Sequence, residues 1–404
     1  MPPAKGNQPF IPVTFLEAKQ RVGAVGSVDI WAEMTYDELT ANVRQKGDKL
    51  YAELLSDVRI GRLNDNQQAL LATRLIASDH RPSTDEICHR YTQLVDNGAD
   101  PVILLPQSAA CAQLNDNMMR RLGAEIHQLR AIDTQDTIVI KNQQAKVTKA
   151  YEKVADDVTR TAGLDRNLNL CIGAKVMLKR NKAVEIGLVN GAVGAVVGFE
   201  ANNSGIQQVS IKFQRIDKPV PVACESCTFE VLKNVFYTRK QFPIMLAFAL
   251  TIHKAQGLSV KTAIVDVGST CFGSGMVYVA LSRVTTLSGL HLIELDKSKI
   301  MCDKKAVTEY NRLRQQYAPH LGDIITIQST DSHADQPESN LSSENVEHIA
   351  LQNSPALTRN ASGQLAIRTF DCCEIVSLDE KTQSEICTRL NLELFLLEHV
   401  QMSR

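Results

Sequence analysis

The sequence predicts an α/β fold in which a parallel sheet is covered by helices and a small antiparallel β-barrel is inserted. Residues 101–107 (PVILLPQ) form a short apolar run that is typical of a buried strand. Residues 108–122 follow with helical spacing, and Ser108 is a candidate N-cap. Strand-then-helix order of this kind is typical of a parallel sheet with helices on its faces.

The inserted barrel is predicted from residues 165–242. This stretch contains short segments rich in β-branched residues, among them AKVMLKRN, LVNGAVGAVVGFE and QQVSIKFQ, and turn residues separate them. Asn190 and Gly191 form a dipeptide that is typical of a tight hairpin. The change from strand–helix units to short strands indicates a second structural unit inside the α/β domain.

A helix is predicted before the first strand, over residues 48–61. Its end is marked by Gly61, and its apolar face carries Leu50, Leu54, Leu55 and Val58.

Four further elements are predicted after the insertion. The apolar run 244–256 predicts a buried helix between Pro243 and Gly257. Residues 261–268 predict a buried strand, and residues 273–295 predict a helix that ends near Arg283 and is followed by another strand.

Composition sets limits on the class of protein. The chain has 404 residues, 44% hydrophobic and 22% charged, which is typical of a globular protein with two or three domains. A formal net charge of −1 means that any nucleic-acid surface must be a local patch. The longest apolar run is shorter than the ~20 residues that span a bilayer, and no secretory leader is recognised. We therefore expect a soluble intracellular protein that does not contact a membrane.

The cysteines do not form a disulfide framework. Ten are scattered along the chain without regular spacing, which favours free thiols in a reducing compartment. The pair Cys224 and Cys227 could belong to a zinc site, but no second ligand pair lies nearby in sequence. A hairpin turn is the preferred interpretation.

The C-terminal quarter has a different composition. Residues 303–324 predict a helical extension, and residues 325–364 are polar and rich in Ser and Asn, which predicts a disordered linker. Within the last segment, 365–404, residues 381–400 predict one amphipathic helix.

Polar residues gather at the ends of the predicted elements. The sequence HKAQG places His253, Lys254 and Gln256 at a turn between a helix and a strand. Arg283 ends a second helix, and Arg44 and Gln45 lie between a short predicted strand and a helix. We expect these residues to form the rim of a single site, because α/β proteins gather ligand groups at element ends. The alternative is a solvated turn whose Lys and His suit a helix C-terminus.

Four motifs carry a family resemblance. ELTANVRQ, GLVNG, TIHKAQG and YVALSR, in this order and spacing, resemble the C-terminal half of the PIF-type (petite integration frequency) 5′-to-3′ DNA helicases, which are relatives of RecD and of transposon-borne helicases. The resemblance covers roughly residues 1–302. It implies two RecA-like domains with ATP between them, in an ATP-dependent helicase that serves DNA repair, recombination, or telomere or transposon replication.

The resemblance also implies a domain assignment. Residues 1–30 would be the end of the first RecA-like domain, and residues 31–164 and 243–302 would form the second. The nucleus is the implied location, with the mitochondrion as the alternative.

The same resemblance implies the role of each site residue. Arg44 would reach the γ-phosphate of ATP and Arg283 would complete the catalytic site, with Gln45, Gln256 and Gly257 as further nucleotide-binding residues. Thr251, His253 and Lys254 would couple that site to single-stranded DNA. The basic run 175–182, with Lys175, Lys179 and Arg180, is a candidate contact for DNA phosphates, and a solvated turn is the alternative.

One part of the family pattern is not found. No G-x-x-x-x-G-K-[ST] loop occurs, nor any Gly-Lys dipeptide, and the aspartate motif that accompanies the loop is unaccounted for. ATP and Mg²⁺ are implied by the family, but their main binding loop is not in these 404 residues. Two hypotheses follow: a fragment or incomplete gene model of an ATP-dependent DNA helicase, which lacks the P-loop half and is inactive alone, or a non-catalytic module that binds single-stranded DNA or a protein partner.

Overall fold

The computed structural model describes residues 8–11, 30–138, 141–203, 205–214 and 216–326. The predicted C-terminal helix and all but the first two residues of the predicted linker lie outside the described residues.

The described chain begins mainly with helices and continues with a long run of strands that one helix interrupts. It ends with alternating strands and helices. The α-helices are α1 (Lys49–Arg59), α2 (Asp65–Ala72), α3 (Thr84–Asp96), α4 (Ser108–Arg121), α5 (Lys141–Val154), α6 (Met276–Leu281) and α7 (Lys304–Tyr317). The strands are β1 (Val102–Leu105), β2 (His127–Arg130), β3 (Ile132–Gln135), β4 (Asn167–Leu170), β5 (Lys175–Leu178), β6 (Val193–Asn202), β7 (Gly205–Phe213), β8 (Val220–Ala223), β9 (Glu225–Leu232), β10 (Val235–Gln241), β11 (Ile244–Leu246), β12 (Ala249–Thr251), β13 (Ala263–Val267) and β14 (Leu290–Leu295).

A parallel four-stranded sheet organises the α/β part, in the order β12-β1-β13-β14. Ile103 of β1 is paired with Ala249 of β12, and Ala263 of β13 with Leu290 of β14. The predicted parallel sheet is therefore confirmed.

Helices cover both faces of this sheet. On one face, Leu104 and Val265 pack with the buried side chains of α1 and α6. On the other face, Ile103 and Ile264 pack with α3 and α4. Because neighbouring residues of a strand point to opposite faces, each strand contributes to both cores, which explains why every residue of β1 and β13 is buried.

The helix predicted over 48–61 is confirmed as α1, with one change in its buried face. Leu54, Leu55 and Val58 are buried as expected, but Leu50 is 58% exposed and Tyr51 is buried in its place. The helix begins after Asp48, whose carboxylate accepts a hydrogen bond from the Tyr51 N–H at 3.0 Å. In α4 the predicted N-cap was displaced by one residue, since Gln107 is the cap and Ser108 is already helical.

The prediction of a buried helix over 244–256 was wrong. The run forms two short strands, β11, which pairs antiparallel with β5, and β12, which pairs parallel with β1. A continuous apolar run has no periodicity that separates a helix from a strand buried on both faces. The polar residues that follow β12 lie in a turn over 252–257, and Gly257 adopts a positive φ of 89°.

The structure does not confirm a closed barrel. The antiparallel strands of the described residues hydrogen-bond in three sheets, ordered β11-β5-β6-β7-β8, β3-β10-β9 and β2-β4. The region also begins before residue 165, because β2 and β3 pair with β4 and β10. Asn190 and Gly191 form a turn closed by the Ala192 N–H and the Val189 carbonyl (2.9 Å), but this turn leads into β6 rather than joining two strands directly.

A buried ion pair joins the elements of the antiparallel region. Arg239 of β10 is fully buried and donates to both carboxylate oxygens of Asp133 on β3, at 2.8 and 2.6 Å. Its guanidinium also donates to the carbonyls of Leu164 (2.9 Å) and Ala155 (2.8 Å). Burial alone would raise the pKa of Asp133, but hydrogen bonds from Arg239 and Tyr151 hold it below its ordinary value.

We expect the substitution Asp133→Ala to lower the free energy of unfolding by about 3–5 kcal/mol, because it leaves the buried Arg239 charge without its carboxylate. Asp65→Ala is the matched control, since Asp65 is 98% exposed and pairs with Lys297 on the surface, where an ion pair contributes about 0–1 kcal/mol. Urea unfolding of both variants measures the difference, and equal losses would contradict a structural role for the buried pair.

Candidate functional site

Arg44, Gln45 and Arg283 come together at the amino edge of the parallel sheet. Arg283 follows α6, which lies between β13 and β14 in the chain, and its carbonyl accepts a hydrogen bond from the Val260 N–H at 3.0 Å, just before β13 begins. The half-buried Arg44 donates from Nε to Ser259 Oγ (2.6 Å) and from Nη1 to the Ser282 carbonyl (3.3 Å). The three residues that were predicted to share a site therefore do so.

Gln45 is the anchor of this cluster. Its side chain is buried, with 3% of the residue exposed, and its Nε2 donates to the carbonyls of Ser282 (3.2 Å) and Val284 (2.8 Å). The hydroxyl of Tyr51 donates to the neighbouring Leu281 carbonyl at 2.7 Å. The last carbonyls of a helix have no partner within the helix, so these side chains satisfy groups that the short α6 leaves open.

Arg283 is buried, with 4% of the residue exposed, and is held by its own helix. Its Nε donates to the Val279 carbonyl at 2.9 Å and its Nη2 donates to Ser282 Oγ at 2.8 Å. Its Nη1 lies 3.5 Å from the Leu258 carbonyl. Arg44 is thus the more accessible of the two guanidinium groups.

The turn that carries Thr251, His253 and Lys254 begins at the opposite, carboxyl edge of the sheet. Thr251 ends β12 and pairs with Leu105, the last residue of β1. Its carbonyl accepts from the Ala255 N–H at 3.1 Å, and its hydroxyl accepts from the Lys254 N–H at 3.4 Å. At about 3.3 Å per residue, the four-residue β1 separates the two edges by about 13 Å. The expected single rim is therefore two clusters, one at each edge.

A continuous chain of hydrogen bonds joins the two clusters. Gln256 N–H donates to the His253 carbonyl at 3.3 Å, and Leu258 N–H donates to the Ala255 carbonyl at 3.0 Å. The Leu258 carbonyl in turn lies near Arg283, and the next residue, Ser259, accepts from Arg44. Gln256 and Gly257 are exposed midway along this segment.

Phe272 is a feature of the carboxyl edge that sequence reasoning missed. It follows β13 and is 61% exposed. Its ring lies 6.1 Å from the His253 ring, with the two planes inclined by 21°. A large aromatic ring left in solvent beside an imidazole offers a stacking surface. Its sequence signal is weak: an aromatic residue in the loop that follows a buried strand.

Lys254 has an unusual environment at the same edge. Lys254 is an exposed residue, but its ammonium lies 3.2 Å from Met245 Sδ. Burial of this end lowers the pKa of Lys254, and the positive charge of Lys179 lowers it further.

The basic run 175–182 does not form an open phosphate-binding patch. Lys175 is buried and pairs with Asp100 and the Pro101 carbonyl, and burial lowers its pKa. Lys179 pairs with Asp165 at 2.7 Å. Arg180 donates to the Ala162 carbonyl at 3.0 Å and lies 4.0 Å from Glu225. The run contains no acid of its own, but acids from other elements engage its charges.

The donor groups of the amino-edge cluster fit an anion. Arg44 and Arg283 present guanidinium groups, which match phosphate oxygens in geometry and charge. Among the described residues, no group of three or more His, Cys, Asp or Glu side chains is placed to hold a metal ion, so Cys224 and Cys227 do not belong to such a group. The residues present therefore fit the phosphates of ATP but not its Mg²⁺. In the part of the chain that the structure describes, no helix is long and apolar enough to cross a bilayer.

Comparison with known proteins identifies the relatives. A family model described as the 2B domain of DNA helicase Pif1 matches residues 162–199, the stretch that includes β4 and β5. The ATP-dependent DNA helicase PIF1 of Rattus norvegicus is 32% identical over 279 residues, which is 69% of this chain and 38% of that protein. The chain is a relative of the PIF-type helicases. The Homo sapiens PIF1 is 30% identical over 295 residues, 73% of this chain and 39% of its own length.

Solved Pif1 structures share the fold. The Pif1 helicase from Candida albicans matches with a TM-score of 0.51 and 24% identity, over 68% of this chain and 60% of that one. Pif1 from Bacteroides in complex with ADP-AlF3 and single-stranded DNA matches with a TM-score of 0.50 and 22% identity, over 70% and 57%. The PIF-type resemblance read from the motifs is confirmed, and the chain spans 38–39% of the length of the two curated relatives.

We expect Gln45→Leu to lower the free energy of unfolding by about 1–3 kcal/mol, because buried carbonyls at the end of α6 lose their donor. Gln113→Leu, an exposed position on α4, is the matched control and should change stability by less than about 0.5 kcal/mol. Thermal and urea unfolding of both variants test this, and an unaffected Gln45→Leu protein would remove Gln45 from its anchoring role.

Proposed function

We propose that the chain supplies the second RecA-like half of an ATP-dependent 5′-to-3′ DNA helicase, with nucleotide at the amino-edge cluster and single-stranded DNA at the carboxyl edge. The observation that carries the proposal is the hydrogen-bonded segment from Thr251 to Ser259, which joins the two edges. The names of the PIF1 relatives support the activity. The single-stranded DNA in the Bacteroides Pif1 complex supports the partner.

Arg44 and Arg283 act on the phosphates of ATP. Phosphoryl transfer depends mainly on positioning and on stabilisation of charge at the transferred group, and an arginine supplied across a domain cleft contributes ~10³ to 10⁵ in rate. Arg44 is half-buried and bonded through a serine hydroxyl and a carbonyl, so a phosphate can compete for its donors. Gln45 fixes the backbone beside Arg44, and Gln256 and Gly257 face the nucleotide from the joining segment.

The remaining ATP-binding groups come from outside these 404 residues. ATP supplies the phosphoryl group, and its cradle requires a P-loop that this sequence does not contain. An N-terminal ATPase half, in a longer chain or as a partner, would hold ATP and Mg²⁺, and this chain would add Arg44 and Arg283 from across the cleft.

The carboxyl edge contacts single-stranded DNA. Phe272 and His253 offer an exposed aromatic surface, and stacking of a base on an aromatic ring is worth about 1–3 kcal/mol. Lys254 lies beside them, and Thr251 fixes the start of the turn. Lys175, Lys179 and Arg180 are already paired with other elements of the fold, so we assign the contact to the turn instead.

A second candidate function rests on the same aromatic surface. A module that binds single-stranded DNA without hydrolysing ATP requires only the carboxyl edge, where Phe272 is exposed. The absence of a P-loop sequence from the 404 residues favours this alternative for the isolated chain.

We expect the isolated chain to hydrolyse no ATP and to gain turnover when the N-terminal half of a related helicase is fused to it. In the fusion, Arg44→Ala and Arg283→Ala should each lower turnover by about 10²-fold or more, because each removes charge stabilisation. His253→Ala should instead lower the stimulation of ATPase by DNA. Steady-state ATPase assays with and without single-stranded DNA measure both effects.

Arg120→Ala is the control in these assays, since Arg120 is exposed and pairs with Asp116 on α4. DNA affinity without nucleotide should be unchanged in Arg44→Ala and Arg283→Ala, which excludes unfolding as the cause. Full turnover of the Arg283→Ala fusion would contradict the catalytic role of Arg283. ATP hydrolysis by the isolated chain that Arg283→Ala abolishes would contradict its expected inactivity.

We expect the isolated chain to bind single-stranded DNA weakly, without sequence preference, and less tightly as salt rises, because phosphate contacts release counterions. Phe272→Ala should weaken binding about tenfold, whereas Phe236→Ala, an exposed aromatic on β10, should not. Fluorescence anisotropy of a labelled oligonucleotide over a salt series measures this. Equal affinities of the two variants would remove the carboxyl edge from DNA binding.

A further inference from the structure

A cleft of about 770 Å³ lies between the segment that follows α2, helix α3 and the start of β14. Its lining includes Arg74, Arg90, Arg121 and His291, with Leu75 and Ile76 as apolar neighbours. None of the lining residues belongs to the clusters around Arg44 or His253. The volume falls in the range of sites for small organic ligands, about 300–1,000 Å³.

Two arginines of this cleft have no carboxylate partner among the described residues. Arg74 donates to the carbonyls of Leu290 (2.9 Å) and Ser288 (2.7 Å) through Nε and Nη2, which leaves Nη1. Arg90 donates from Nη1 to Gln93 Oε1 at 3.2 Å, and its Nη2 lies 3.3 Å from His291 Nδ1, which leaves Nε.

The acids of the cleft pair with cations other than Arg74 and Arg90. Asp85 pairs with Arg121 at 2.6 Å, and Glu86 pairs with His80 at 3.0 Å and bonds to Ser83. The carboxylates that line the cleft therefore do not pair with Arg74 or Arg90, whose positive charges remain available to a ligand.

His291 adds a neutral donor between the two arginines. It is 7% exposed, and burial, with the charges of Arg90 and Arg74, lowers the pKa of His291 to about 4. Since Nδ1 accepts from the Arg90 guanidinium, the ring proton lies on Nε2. Every fully buried side-chain N or O atom of the described residues has a hydrogen-bond partner, so Nε2, which has none among them, is not fully buried. His291 is one of the residues that line the cleft.

We propose that this cleft binds the phosphate ester of a nucleotide-sized ligand, with the phosphate held by Arg74, Arg90 and His291 Nε2. Guanidinium groups match phosphate oxygens, and a neutral imidazole N–H adds a donor without further charge repulsion. Leu75 and Ile76 contact the organic part of the ligand. The phosphate comes either from a free nucleotide or from a DNA strand, and the proposal does not depend on the helicase function.

The test is an NMR titration of the full chain in which the His291 imidazole signals, assigned with His291→Gln, report on the cleft. Thymidine 5′-monophosphate and a 12-nucleotide single strand are the two probes. We expect a saturating shift of the His291 signals with at least one probe. Arg74→Gln and Arg90→Gln should each weaken binding tenfold or more, because each removes a charged hydrogen bond to the phosphate.

Arg120→Gln is the matched control, since Arg120 lies next to Arg121 but does not line the cleft. Saturation by the mononucleotide alone identifies a free nucleotide as the source, and saturation by the oligonucleotide at lower concentration identifies a DNA strand. The proposal is overturned if neither probe shifts His291 at ~10 mM phosphate. It is also overturned if Arg90→Gln and Arg74→Gln, folded as judged by their melting temperatures, bind like Arg120→Gln.

Discussion

Parallel pairing of β12, β1, β13 and β14 is the constraint on which the site depends. Because these strands run in the same direction, each connection between them must return from the carboxyl edge of the sheet to the amino edge. The connection from β12 to β13 is short, residues 252–262, and has no α-helix of its own. It therefore crosses the sheet as a compact turn that begins beside His253 and ends beside Arg283. For this reason, the polar clusters at the two edges of the sheet share one short segment.

Local sequence predicted those elements whose packing leaves a periodic signal. Strand β1, helix α4, strand β13 and the α6–β14 unit were all predicted from apolar spacing and terminal residues. A helix was wrongly predicted for residues 244–256 because β12 is buried on both faces, so no polar position reveals the strand period of two. Closure of a barrel depends on which edge strands pair across long sequence separations, and nothing in the individual segments encodes that pairing.

The site was predictable in its members but not in its geometry. Motif order brought Arg44, Gln45 and Arg283 into one cluster, and the structure places them around the Ser282 carbonyl. The ion pairs of the basic run 175–182 could not be predicted because its partners, among them Asp100 and Glu225, lie far away in sequence. The exposure of Phe272 was not predicted, because an apolar residue after a buried strand is expected to be buried. Only the fold shows that it is exposed.

The neighbouring residues Arg44 and Gln45 bond to the same carbonyl but differ in how far they are buried. Both donate to the Ser282 carbonyl, but Gln45 is buried and also holds the Val284 carbonyl. A phosphate that recruits Arg44 would replace a long hydrogen bond of 3.3 Å to a neutral carbonyl with one to a negatively charged oxygen, which is shorter and stronger. Gln45 continues to satisfy the Ser282 carbonyl when Arg44 leaves, so recruitment does not expose an unpaired buried acceptor. The same movement releases Ser259 Oγ, the last contact of the segment that begins at Thr251. In the proposed function, engagement of an anion at the amino edge would act on the turn at the carboxyl edge through this continuous segment.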